Sequence, residues 1–239
     1  MDILFSATSH RGHQRKSNED CYFVWRQNDG SLLLAVADGM GGAPGGAEAA
    51  TFAIAPFAAT GVDDRLAPHH LPQLAMDGHE AIRDYAAHTP EMKGMGTTLT
   101  AALLQPGQLS WVHIGDSRLY LLQGKTLRQL TADHRLLDRI FTHGKPDHEA
   151  MKRHPLRSML DQCLGGEHVE LEVGEARFAR GDCLLLCTDG LHDELAPEAI
   201  AYWLSHDSSV SEKTDSLVQA ALSEGGNDNI TVIVAQSRE

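Results

Sequence analysis

Between residues 97 and 123 the chain has three apolar runs, TTLTAALL, LSWVHIG and RLYLLQ, with only QPGQ and DS between them. A parallel pair needs a crossover of a dozen or more residues, so connections this short predict antiparallel hairpins. The same holds for CYFVWRQ (21–27) and LLLAVAD (32–38), joined by NDGS, whose Asn, Asp and Gly favour a tight turn. Further strands are expected at DILFSAT (2–8), VELEVGEARF (169–178), CLLLCTD (183–189) and NITVIVAQ (229–236).

Helical signals lie between these runs. The alanine-rich GGAEAATFAIAPFAAT (45–60) predicts a helix ended or kinked at Pro56, and Leu71, Leu74, Gly78, Ile82 and Tyr85 recur at helical spacing. Two more helices are expected after CLLLCTD, the second opened by the capping-box pattern SVSE (209–212). Strands and paired helices in this order imply an α+β fold, two antiparallel sheets packed together with helices outside. No linker or repeat divides the chain, so residues 1–239 are expected to form one domain. The polar, histidine-rich stretch that starts near residue 131 reads as a flap-like insertion at about 135–158.

The 239 residues are 42% hydrophobic, enough for a sizeable core, and carry a net charge of −13. Such a surface repels nucleic acid and anionic membranes, so a phosphate-bearing target would require a local cation. The four cysteines form no CxxC pair and read as reduced, mostly buried thiols. The first residues lack a basic n-region, and no apolar run approaches the roughly 18 residues of a membrane span. A cytoplasmic monomer is therefore expected.

Four apolar runs start or stop at a carboxylate: Asp38, Asp116, Asp189 and Asp228. Asp-Gly is also a common tight-turn pair, and any single one of these sites is open to that reading. Taken together, they would crowd acids beside buried strands, where unpaired charge is costly and the groups shift pKa or bind a cation. Ligands that are all oxygen favour hard ions such as Mg²⁺ or Mn²⁺.

RKSNED (15–20), DGMGG (38–42), GTT (96–98), GDSR (115–118), TADH (131–134), TDGLHDE (188–194) and GGNDNITV (225–232) occur in one order along the chain. In that order and spacing they resemble the metal-dependent protein phosphatases of type 2C in their compact bacterial form. The resemblance covers essentially the whole chain and implies a four-layer α-β-β-α sandwich with a binuclear Mn²⁺ or Mg²⁺ centre at one end of the sheets. It implies that Asp38 bridges two ions, that Gly39 offers its carbonyl, and that Asp189 and Asp228 each hold one ion. Glu19 and Asp20 would act through metal-bound water. Asp116 and Asp193, with Asp189, resemble the ligands of a third, weaker metal position. The implied reaction is attack of a metal-bridging hydroxide on the phosphorus of phosphoserine or phosphothreonine, with Asp38 and Asp228 at the catalytic centre. Arg15 is the candidate phosphate anchor, since a guanidinium fork matches phosphate oxygens. Partners would be phosphoproteins and a Ser/Thr kinase that this enzyme opposes.

Three departures from the family pattern stand out. Met40 takes the place of a histidine proposed as general acid in eukaryotic members, DHR replaces the frequent DHS at 133–135, and LDQCLGG (160–166) lacks the usual threonine-arginine. No cysteine is followed by five residues and then an arginine, and neither GxxxxGK[ST] nor HExxH occurs. Two other readings keep the same fold: a small-molecule phosphoester hydrolase, or a catalytically weak binding module.

Overall fold

The computed structural model describes residues 2–40, 44–60, 66–140, 154, 156 and 158–238. One sheet has the order β2 (Asp20–Arg26), β3 (Leu32–Asp38), β4 (Leu99–Gln105), β5 (Gln108–Ile114), β8 (Glu172–Arg177). The other runs β1 (Ile3–His10), β10 (Ile230–Ser237), β9 (Cys183–Cys187), β6 (Arg118–Gln123), β7 (Thr126–Gln129). All neighbouring pairs are antiparallel.

The strand LLLAVA shows how the layers stack. Residues 32–37 are fully buried, so the run is apolar on both faces and does not alternate. Leu33, Ala35 and Ala37 face a core shared with helices α1 (Gly46–Ala58) and α2 (His70–His88). Leu32, Leu34 and Val36 face a second core, where they meet Leu184, Leu186 and Ile233 of the opposite sheet. Cys183, Leu185 and Cys187 face a third core, covered by α4 (Asp189–His192), α5 (Pro197–Ser205) and α6 (Val210–Glu224). Each fully buried leucine contributes about 2 kcal/mol of transfer free energy, so the three cores hold the sheets, and with them the strand ends, in fixed relation. The result is the expected α-β-β-α sandwich. α3 (Leu136–Ile140) is a single turn beyond it.

The NDGS hairpin forms as expected, with Gly30 at φ 85°. Ser209 and Glu212 make the reciprocal capping box of α6. The α1 helix continues two residues past Pro56.

Three features differ from the sequence reading. β4 and β5 pair, but β5 and β6 do not: the chain passes from one sheet to the other through Gly115, Asp116 and Ser117. Gly115 at φ 104° permits this crossing. A short connection therefore joined two stacked strands, which the antiparallel-hairpin rule does not distinguish from two paired ones. β7 gave no apolar signal because it is a four-residue, largely exposed edge strand. The turn α4 precedes the two helices expected after β9. The flap-like insertion at about 135–158 falls mostly on residues 141–153, 155 and 157, outside the described residues.

Candidate metal centre

The carboxylates converge because register brings the strand ends to one edge of the sandwich. Asp20 opens β2 directly opposite Asp38, the last residue of β3. Like charges placed opposite each other across a strand pair destabilise it unless something neutralises them. The main chain of Asp38 is pinned by the GTT motif: Thr97 Oγ1 and the Thr98 N–H donate to its carbonyl at 2.8 and 2.9 Å, and its own N–H donates to Thr98 Oγ1 at 3.0 Å.

The second sheet supplies the remaining acids and fastens to the first through Asp20. Thr188, just past β9, and Thr231, in β10, donate their hydroxyls to Asp20 Oδ2 at 2.9 and 2.6 Å. Their neighbours in sequence are Asp189 and the Asp228–Asn229–Ile230 entry to β10.

Close backbone packing leaves room for Glu19. A Cβ on Gly39 would lie 2.3 Å from the Gly46 carbonyl oxygen, and one on Gly46 would lie 2.4 Å from Glu19 Oε2. Two glycines thus let the β3 exit, the start of α1 and the Glu19 carboxylate share one volume.

The crowding has an electrostatic signature. Burial, followed by the charges of Asp20, Asp189, Asp116 and Asp228, pushes Asp38 well above the usual carboxylate range. Burial likewise raises Asp189, helped by Asp116, Asp193 and Asp228 and opposed by Arg135. Asp20 is pushed up by burial to about 7 in spite of the bonds from Thr231 and Thr188. Glu19 Oε2, Asp20 Oδ1 and Asp189 Oδ1 are buried oxygens without a hydrogen-bond donor. Orphaned carboxylate oxygens from the start of β2 and from α4, in a cluster where the acids repel, fit hard divalent cations and would otherwise carry a desolvation cost.

Asn229 organises the loop beside this cluster. Its Oδ1 accepts from the Glu19 N–H at 2.8 Å, while Nδ2 donates to the carbonyls of Arg11 at 2.8 Å and Ser17 at 2.9 Å. These bonds hold the segment that carries Arg15, whose Nη2 donates to Asp228 Oδ2 at 2.6 Å. The Arg15 side chain remains 41% exposed at the rim.

Asp116 and Asp193 both act on Asp189 through their charges. Asp116 is buried, and its Oδ2 accepts from Arg135 Nε at 2.7 Å. Asp193 Oδ1 accepts from Arg135 Nη2 at 3.1 Å. The TADH segment is structural in its contacts. Burial opposes the charge of Asp133, but the Arg118 fork brings its carboxyl down to about 2. His134 joins the Gly115 turn through its backbone N–H, at 2.7 Å to the Gly115 carbonyl, and through Nδ1, at 3.2 Å from the Gly115 N–H.

His113, His134 and Glu172 also bring ligand-type atoms within 4.8 Å of one another. Both His113 nitrogens are engaged, by Thr100 and by the Ala132 carbonyl, and Glu172 Oε2 accepts from Ala132 N–H. Burial pushes His113 down to about 3, so it is a neutral staple of the same loop. Met40 is partly buried, with its methyl group packed toward Gly96.

Asp20, Asp38, Asp189 and Asp228 are thus brought together with Glu19, Gly39 and Arg15. Asp116 and Asp193 adjoin them through Arg135. Sequence reasoning assigned no role to Thr97, Thr98, Thr188, Thr231, Gly46 or Asn229. All of these except Gly46 lie inside the quoted motifs, and that placement was the available signal.

A family profile described as Protein phosphatase 2C matches residues 7–225. The chain is 40% identical to the serine/threonine protein phosphatase PstP of Mycobacterium tuberculosis over 98% of its own length, but spans only 45% of that relative. It is 35% identical to the serine/threonine phosphatase stp of Listeria welshimeri, covering 95% of this chain and 92% of that one. The solved catalytic domain of PstP in complex with two manganese ions superposes with a TM-score of 0.88 at 35% identity, covering 99% of each chain. This chain belongs to the protein phosphatase 2C family.

Proposed function

We propose that this protein is a Mn²⁺- or Mg²⁺-dependent phosphatase of phosphoserine and phosphothreonine proteins, acting as one catalytic domain across residues 1–239 in the cytoplasm and opposing a Ser/Thr kinase. The observation that carries the reading is the set of buried, donor-less carboxylate oxygens of Glu19, Asp20 and Asp189 beside the raised carboxyls of Asp38 and Asp189. Asp38, Asp189 and Asp228 would hold two ions, assisted by the Gly39 carbonyl, with Glu19 and Asp20 placed to accept from metal-bound water. The ions, when bound, activate water as the nucleophile and screen the phosphate charge.

This chain's own residues do the rest. The Thr97 and Thr98 bonds hold Asp38 in place, and the Thr188 and Thr231 hydroxyls fix Asp20 across the two sheets. Arg15 would bind phosphate oxygens, a reading supported by its half-exposed position at the rim on the loop tied by Asn229. Its positive charge offsets the chain's overall −13 where an anionic substrate must approach. Four unpaired cysteines, none in a disulfide, accord with a reducing compartment.

The test is hydrolysis of phosphopeptides and of p-nitrophenyl phosphate with Mn²⁺ and with chelator, for the parent and for Asp38→Ala and Asp228→Ala. The proposal expects metal-dependent release of phosphate from phosphopeptides and a loss of at least about a hundredfold in each variant. Full activity in chelator, or in both variants, refutes the metal mechanism. Turnover of p-nitrophenyl phosphate with inert phosphopeptides would favour a small-molecule hydrolase, and no turnover with retained phosphopeptide binding would favour a binding module.

A further inference from the structure

Arg135 stands where the resemblance calls for serine, and its guanidinium occupies the space between acids that the same resemblance assigns to a third ion. Nε lies 2.7 Å from Asp116 Oδ2, and Nη2 lies 3.1 Å from Asp193 Oδ1. The Arg135 side chain is only 13% exposed. Asp133 Oδ2 approaches at 3.9 Å but is already committed to the Arg118 fork. The Arg135 backbone is fixed on both sides: it bridges Leu160, the preceding His134 carbonyl accepts from Asp161, and the following Leu136 N–H donates to the Met159 carbonyl.

We propose that Arg135 is a built-in cation that takes the place of a third metal, so that this phosphatase loads two divalent ions and not three. An ion at that position would have to share the Asp116 and Asp193 carboxylates with the buried guanidinium, and would sit against a positive charge that cannot be shed by deprotonation. Two like charges at one nearly buried pair of acids repel, so a hard cation and the Arg135 guanidinium compete for them. Asp116 and Asp193 are held in place at any metal concentration, and Asp189 is left to serve the two-ion centre alone. Arg135 is a positioning residue: it touches the acids and not the substrate. The inference rests on the two-ion reading above.

The experiment is equilibrium dialysis of Mn²⁺ against the parent, Arg135→Ser and Arg135→Gln. Bound metal is measured by mass spectrometry and free Mn²⁺ by electron paramagnetic resonance, with circular dichroism to confirm folding. The parent should saturate at two ions per chain. Each folded variant should gain a third binding step, at least about tenfold tighter than any third step of the parent. The glutamine variant keeps hydrogen-bond donors without the charge, and stands in if the serine variant does not fold. Three ions in the parent, or only two in a folded variant, overturn the proposal. A parent that binds no Mn²⁺ fails the two-ion reading instead, so the two failures are distinct.

Discussion

Replacing Asp20 with asparagine should stabilise the metal-free protein while weakening its response to metal. Asp20 faces Asp38 across the β2–β3 pair, and burial pushes its carboxyl from 3.8 up to about 7. A raised carboxyl means that the folded state binds the proton more tightly than the unfolded chain. Its contribution is therefore fully present below about pH 4 and is lost as pH rises through about 7. Three pKa units correspond to about 4 kcal/mol as an upper bound. Coupling to Asp38 and local relaxation reduce this to about 2 kcal/mol at pH 8. Asparagine does not titrate, and its side-chain oxygen still accepts from Thr188 and Thr231. In chelator at pH 8, Asp20→Asn should melt about 4–8 °C above the parent. The advantage should shrink toward zero near pH 4. With saturating Mn²⁺ the order should reverse, because the ions neutralise the parent's carboxylates and the variant has lost one of them. Thermal unfolding by circular dichroism at the two pH values, with chelator and with Mn²⁺, measures all of this. An Asp20→Asn variant no more stable than the parent at pH 8 in chelator, or equally favoured at pH 4, would refute the claim that the acids repel.

Two further substitutions separate the anchor from the scaffold. Arg15→Ala should raise KM for phosphopeptide several-fold while leaving Tm nearly unchanged, because an ion pair this exposed contributes only about 0–1 kcal/mol to stability; steady-state kinetics with an unchanged KM would remove its role. Gly46→Ala drives a methyl group into Glu19 Oε2 and should cost about 1–3 kcal/mol of stability and lower Mn²⁺ affinity, read by denaturant unfolding and metal titration.

The acid-terminated apolar runs were legible without coordinates, and so was the layered class of the fold. A strand buried on both faces must be apolar throughout, so LLLAVAD and CLLLCTD announced interior strands, and their terminal aspartates announced a carboxylate cluster. The hairpin at NDGS, the cap at Ser209 and the face of α2 are local patterns that secondary structure reads directly.

What only the tertiary structure decided was which strand ends meet. The link from Ile114 to Arg118 reads as a hairpin but crosses between sheets, and that crossing carries Asp116 toward Asp189 and Arg135. Asn229 and Glu19 are 210 positions apart, and Thr188 lies 168 from Asp20. Contacts at such separations leave no periodicity in the chain, because they are fixed by the packing of three cores and not by neighbouring residues. Arg135 shows the division: its identity was visible as a departure from a motif, but only the fold set its charge between Asp116 and Asp193.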